Sequence, residues 1–167
     1  GLAVHNARGP QVSLVMLTNI MLGLLGLSAA FAALNMARPQ AGARRDAPKW
    51  ALALVAVLPI VAVFDGAIHS DTTPFWRDVH GPACLLQSTL ASVLVMAALT
   101  IWVRRGAPAN PRLAIGYIAI ASGALGALVY GLSCPIFDMA HLFAWHAMTP
   151  IMMSAFAYLA LPRVLRW

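Results

Sequence analysis

The sequence predicts an all-α membrane protein: one domain over residues 1–167, built as a bundle of five transmembrane helices. Three observations carry that prediction. First, 61% of the 167 residues are hydrophobic and 10% are charged, against about 25% charged in a soluble domain. So little polar surface cannot cover a water-facing globule, so lipid is the expected solvent. Second, apolar runs approach or exceed the roughly 20 residues needed to cross a bilayer. Third, the charges fall between these runs. The runs lack the alternating polarity of strands, and a backbone inside lipid must satisfy its own hydrogen bonds, so each run is read as a helix.

The spans follow in order. The first covers 12–36. The second, 49–65, is short and carries Pro59, so a tilt or kink is expected there. The third, 84–103, opens on Cys84 and ends before Arg104 and Arg105. The fourth, 113–132, contains Ser122 with Gly126 and Gly123 with Ala127, small-xxx-small pairs that allow close helix contact. The fifth, 139–161, contains His146 and Pro150. Trp50, Trp76, Trp102 and Trp167 lie near span ends, as interfacial anchors do.

The links sort by charge. Residues 37–48 hold Arg38, Arg44 and Arg45, and Lys49 opens the next span; "RRGAPANPR" (104–112) holds three arginines, and the C-terminal "PRVLRW" adds Arg163 and Arg166. Nine of the eleven basic residues therefore share one side, which the positive-inside rule assigns to the cytoplasm. The other side carries Arg8 and Arg77 and four of the five aspartates. This places the N-terminus of the chain outside and its C-terminus inside. The net charge of +6 is dispersed in short groups, a topology signal rather than a nucleic-acid face. No cleavable signal peptide is read at the start, where a basic segment and a small-residue cleavage site are lacking.

Chemistry concentrates on the outer side. Cys84 opens the third span and Cys134 follows the fourth; these spans form a hairpin, so their outer ends are expected to be neighbours. His69, Asp71, Asp78 and His80 come from the 66–83 loop, and Asp138 and His141 follow Cys134. From this set Cys84, Cys134, His69, His80, Asp138 and His141 are the candidate metal ligands, for a soft or borderline ion such as Cu, Zn or Cd. No CxxC or HxxxH spacing is present. A structural disulfide between the cysteines, or two thiols without a role, are the competing readings.

His146 lies about two turns inside the fifth span, where ionisable residues are costly. Pro150, four residues later, deprives the His146 carbonyl of its intrahelical donor, so the pair is a candidate hinge. The alternative is a neutral histidine hydrogen-bonded to another helix. No catalytic residues are proposed: Asp65 is at a span end, and no nucleophile stands beside a base within a span.

The segment from Cys84 to Pro135 contains a cysteine opening a helix, "RRGAP", a following proline, a small-residue helix and "CP". A Trp-containing helix, "FAWHAMTP", then runs to "LRW". In these features the chain resembles the NrsF-type negative regulators of extracytoplasmic-function sigma factors. The likeness is carried by 84–167, and by hydropathy alone in the first half. It implies a multi-pass protein of the bacterial inner membrane, its chain N-terminus periplasmic and its C-terminus cytoplasmic, that holds a cytoplasmic sigma factor and releases it under heavy-metal or oxidant stress. It places the sensing role on Cys84 and Cys134. It also implies six spans in an intact member, so the charge-derived topology matches a member without its first helix and sigma-binding segment. Sigma factor and membrane lipid are the implied partners, with no direct nucleic-acid contact. Two other readings remain open: an accessory subunit packed against other membrane subunits, and a redox subunit with His146 as axial ligand.

Overall fold

The computed structural model describes residues 9–38, 78–106, 108, 110–136 and 141–165. Within them lie helix α1 (Gly9–Met36), helix α2 (Gly81–Arg104), helix α3 (Pro111–Gly131), a single π-helical turn (Leu142–His146) and helix α4 (Met148–Val164). The described residues contain no strand. Residues Val15–Met36 of α1, all of α2 and all of α3 are long and apolar enough to cross a membrane. The expected spans 12–36, 84–103 and 113–132 thus correspond to α1, α2 and α3. The fifth is realised as the π-turn plus α4 rather than as one uninterrupted α-helix. The second, 49–65, lies outside the described residues, so four of the five expected helices are in view.

Helix boundaries follow local chemistry. Asp78 caps α2, its Oδ1 accepting the backbone N–H groups of His80 (3.0 Å) and Gly81 (3.3 Å). A negative charge there also complements the positive end of the helix dipole. Asn110 caps α3 by accepting the Leu113 N–H at 3.1 Å, with Pro111 in the first turn where its missing N–H is harmless. Arg105 and Gly106 close α2, their N–H groups donating to the carbonyls of Trp102 and Val103.

Helix α3 is the centre of the bundle and packs against α1, α2 and α4. Lipid supplies no hydrophobic force between helices, so close backbone approach does the packing. The small residues of α3 provide it. Gly123 abuts the backbone of Pro150 on α4, and Gly126 abuts Ser88 and Ser92 on α2. On the α1 side, Gly26 lies against Leu125 and Gly23 against Leu128. The small-xxx-small pairs read in the fourth span are therefore contact points for two different helices.

These contacts fix directions. Along α1, Asn19 meets Gly131, Gly26 meets Leu125, and Ala37 meets Gly106 in the α2–α3 link. Helix α1 thus runs antiparallel to α3 and parallel to α2. One end of the bundle carries Arg38, Arg104, Arg105, Arg112 and Arg163; the other carries Asp78, Cys84, Cys134 and His141. Arg38 and Asp78 lie at opposite ends.

The outer surfaces are apolar, with Ile20, Leu24, Leu27 and Phe31 exposed on α1 and Leu86, Leu90 and Leu94 on α2. The inward face of α2 is small and polar: Cys84, Ser88, Ser92, Met96, Thr100 and Val103 are all buried. Ser92 returns its hydroxyl to the Ser88 carbonyl at 2.7 Å, the local bond that lets a serine enter an apolar interface. This seam runs from the thiol end to the arginine end.

Candidate functional site

Three pieces of chain converge at the thiol end. Cys84 stands in the first turn of α2, its N–H bonded to the His80 carbonyl at 3.1 Å. Helix α3 ends at Gly131, and Leu132 and Ser133 turn the chain back through bonds to Leu128 and Tyr130. That turn sets Cys134 beside Cys84. The third piece is the π-turn, closed by the Ala147 N–H on the Leu142 carbonyl at 3.2 Å. It carries His146, and His141 immediately precedes it.

His141 links a carboxylate to a thiol. Its Nδ1 is paired with Oδ2 of Asp78, and its Nε2 lies 3.5 Å from the Cys134 Sγ. With Asp78 ionised, Nδ1 donates and Nε2 presents its lone pair to the thiol. Burial pushes the Asp78 carboxyl up, but the bonds from His141 and from the His80 and Gly81 N–H groups outweigh it, so the group lies below its ordinary range. Asp78 therefore serves both the cap of α2 and the orientation of His141.

His146 is 1% exposed. Its Nδ1 lies 3.4 Å from the Ala127 carbonyl of α3, which requires the proton on Nδ1. Nε2 is buried and has no hydrogen-bond partner among the described residues. The ring stacks on Tyr130 (centroids 6.1 Å apart, 17° between planes) and tilts against His141 (5.6 Å, 56°). The hydrogen-bonded histidine expected as the alternative is thus present, yet its other nitrogen is left without a partner.

Cys84, Cys134, His141 and His146 are all buried, and one ligand atom from each lies within 4.8 Å of every other. Two sulfurs and two imidazoles are donor types that zinc and its softer relatives use in four-coordinate sites. In both histidines Nδ1 is held by another group, a carboxylate or a backbone carbonyl, which is the usual support of a ligating imidazole. Burial pushes the Cys134 thiol up to about 11, so at neutral pH it carries its proton and is a weak nucleophile. Both cysteines are free thiols.

Of the six metal candidates read from the sequence, Cys84, Cys134 and His141 meet here. His80 is exposed and outside the group. His69 and Asp138 lie outside the described residues. His146, expected as a hinge together with Pro150, is also in the group, and the sequence reading missed the role of Asp78. The signal for His146 was its five-residue separation from His141. In an α-helix that spacing puts two side chains about 140° apart, on different faces. A π-turn, bonded i to i+5, brings them onto one face.

The model of the family described as negative regulator of sigma F, NrsF, matches residues 7–167. The chain belongs to the NrsF family. NrsF membership extends the likeness over the first half of the chain, where hydropathy alone had carried it. It also favours a regulator over an accessory or cofactor-carrying subunit. Among NrsF relatives, the anti-sigma-F factor of Caulobacter vibrioides (strain NA1000 / CB15N) is 29% identical over 153 residues, covering 89% of this chain and 70% of the relative. No solved structure matches the chain.

Proposed function

We propose that this protein is an inner-membrane anti-sigma factor that restrains an extracytoplasmic-function sigma factor. A heavy metal or oxidant acting on Cys84 and Cys134 would lead to its release. The observation that carries the reading is the division of the bundle. The thiols lie at one end, the described arginines lie at the other, and the α2–α3 hairpin joins them.

Five spans with the arginine end in the cytoplasm follow from the positive-inside rule, and the thiol end then faces the periplasm. Beside Arg38 and Arg105, a cavity of about 290 Å³ also lined by Leu34, Ala37, Trp102 and Gly106 offers two guanidinium groups to an acidic surface of the sigma factor. Anionic lipid head groups would compete for the same charges.

Transmission needs two arrangements of the helices that differ in affinity for the signal. The α2 seam is a suitable path, because Ser88 and Ser92 pack against Gly126 with no slack between backbones. A small shift of α2 at Cys84 would then move the α2–α3 link, where Gly106 touches Ala37.

A promoter fusion read by the cognate sigma factor tests the proposal. Wild-type cells should induce it on exposure to cadmium or peroxide, and cells carrying Cys84→Ser with Cys134→Ser should not. Full induction in the double variant would overturn the role of the thiols.

A further inference from the structure

We infer that Cys84, Cys134, His141 and His146 form one tetrahedral site for a divalent borderline or soft cation, of which Zn²⁺ and Cd²⁺ are the type. In that site His146 is a direct ligand and Asp78 orients His141. The inference rests on the reading of the thiol pair as the responsive element and gives that element a complete ligand set.

Four observations support it. The four donor atoms already lie within 4.8 Å of one another. A tetrahedral Zn²⁺ site with ordinary bond lengths needs about 3.8 Å between two sulfurs, about 3.4 Å between two nitrogens and a value between them for a mixed pair. The Cys134–His141 separation of 3.5 Å meets that requirement as it stands. The others exceed it by at most roughly 1–1.5 Å, within the reach of side-chain rotation.

The second observation is the orphaned Nε2 of His146. A buried polar atom without a partner is destabilising. Here the Nδ1 contact to the Ala127 carbonyl fixes the tautomer that leaves Nε2 with a lone pair and no proton. That atom can receive a cation or a hydrogen-bond donor, and it has no donor among the described residues. The third is the support of both imidazoles at Nδ1, by Asp78 for His141 and by Ala127 for His146.

The fourth is charge. Binding replaces two thiol protons by one cation, M²⁺ + 2 RSH → M(SR)₂ + 2 H⁺, with the imidazoles neutral. The ion and its four ligands then sum to zero, whereas a monovalent ion would leave one uncompensated negative charge in a buried site. A buried charge without compensation is strongly disfavoured. With both cysteines bound as thiolates, the four ligands alone therefore balance a divalent ion and not a monovalent one.

The arrangement also distinguishes metal from oxidant. A disulfide would join α2 to the chain after α3 and leave the π-turn untouched. A cation would bind all three pieces together, and the π-turn leads directly into α4.

The test uses the full chain, reduced and purified in lipid nanodiscs, with Co²⁺ as an optical probe and Zn²⁺ for X-ray absorption. The expected result is a tetrahedral Co²⁺ spectrum with thiolate charge transfer at one ion per chain, and a Zn²⁺ shell of two sulfurs and two imidazole nitrogens. His146→Gln should weaken binding by roughly tenfold or more, and Cys84→Ser should reduce the charge-transfer intensity, both with unchanged helical circular dichroism. Absence of Co²⁺ binding by wild type, or unaltered affinity and spectrum in His146→Gln, would overturn the site. If the double cysteine variant abolished induction while wild type bound no metal, the site would fail and the thiol-based function would stand. Metal binding with induction intact in that variant would do the reverse.

Discussion

His141 Nε2 lies 3.5 Å from the Sγ of Cys134, and the other nitrogen of the same ring is held by Asp78. A carboxylate at the cap of α2 thereby sets the direction of an imidazole that comes from the far side of the α3 turn. The two halves of the thiol end are joined through this one ring.

Asp78→Asn keeps the size of the side chain and much of the cap but removes the charge that holds His141. Second-shell changes of this kind reduce metal affinity by roughly 10–100-fold. Competition between a chromophoric chelator and the protein for Zn²⁺ should show a loss in that range, with the helical content retained. A loss of less than about twofold would mean that Asp78 acts only as a cap.

Pro150→Ala restores an N–H able to bond the His146 carbonyl. The chain before α4 should then relax from the π-turn toward α-helix, swinging His146 away from His141. Helical stability should rise, since proline is among the least favourable residues for a helix, while Zn²⁺ affinity falls roughly tenfold because ligands must be held within about 0.5 Å of their productive positions. Gly123 packs on the Pro150 backbone, which alanine keeps. Thermal unfolding in detergent and the chelator assay read the two effects separately, and an unchanged affinity would disconnect the π-turn from the site.

Gly126→Leu should destabilise the bundle, because a side chain there meets Ser88 and Ser92 on the neighbouring backbone. Overpacking of this kind costs about 1–3 kcal/mol. Gly116→Ala is the contrasting case: a methyl there meets only the Tyr158 hydroxyl, 2.9 Å away at the end of a side chain that can turn aside. Its effect should stay within about 0.5 kcal/mol. A fall in thermal midpoint for Gly126→Leu but not for Gly116→Ala would confirm that α3 packs on α2 through its glycine face.

The sequence by itself determined the class of the protein, the positions of α1, α2 and α3, and the sorting of the arginines from the cysteines. Apolar run length and charge are local properties, and lipid leaves the backbone few alternatives to helix. Belonging to the NrsF family was legible too, because Cys84, the "RRGAP" link and the "CP" after α3 are contiguous signals. Half of the candidate ligand group, Cys84 and Cys134, followed from the hairpin, and His141 from its nearness to Cys134.

The tertiary structure alone decided the rest. Asp78 is 63 residues from His141, and only the packing of the α2 cap against the chain after α3 makes them a pair. His80 is two residues from Asp78 yet remains outside the group, since entry into the site depends on which way the cap turns rather than on distance along the chain. The hinge expectation for His146 rests on Pro150 four residues later, a local signal, whereas α-helical spacing would put His146 and His141 on different faces. The place of His146 beside the thiols depends on one wide turn, closed from Ala147 to Leu142, whose geometry brings the two imidazoles onto one face.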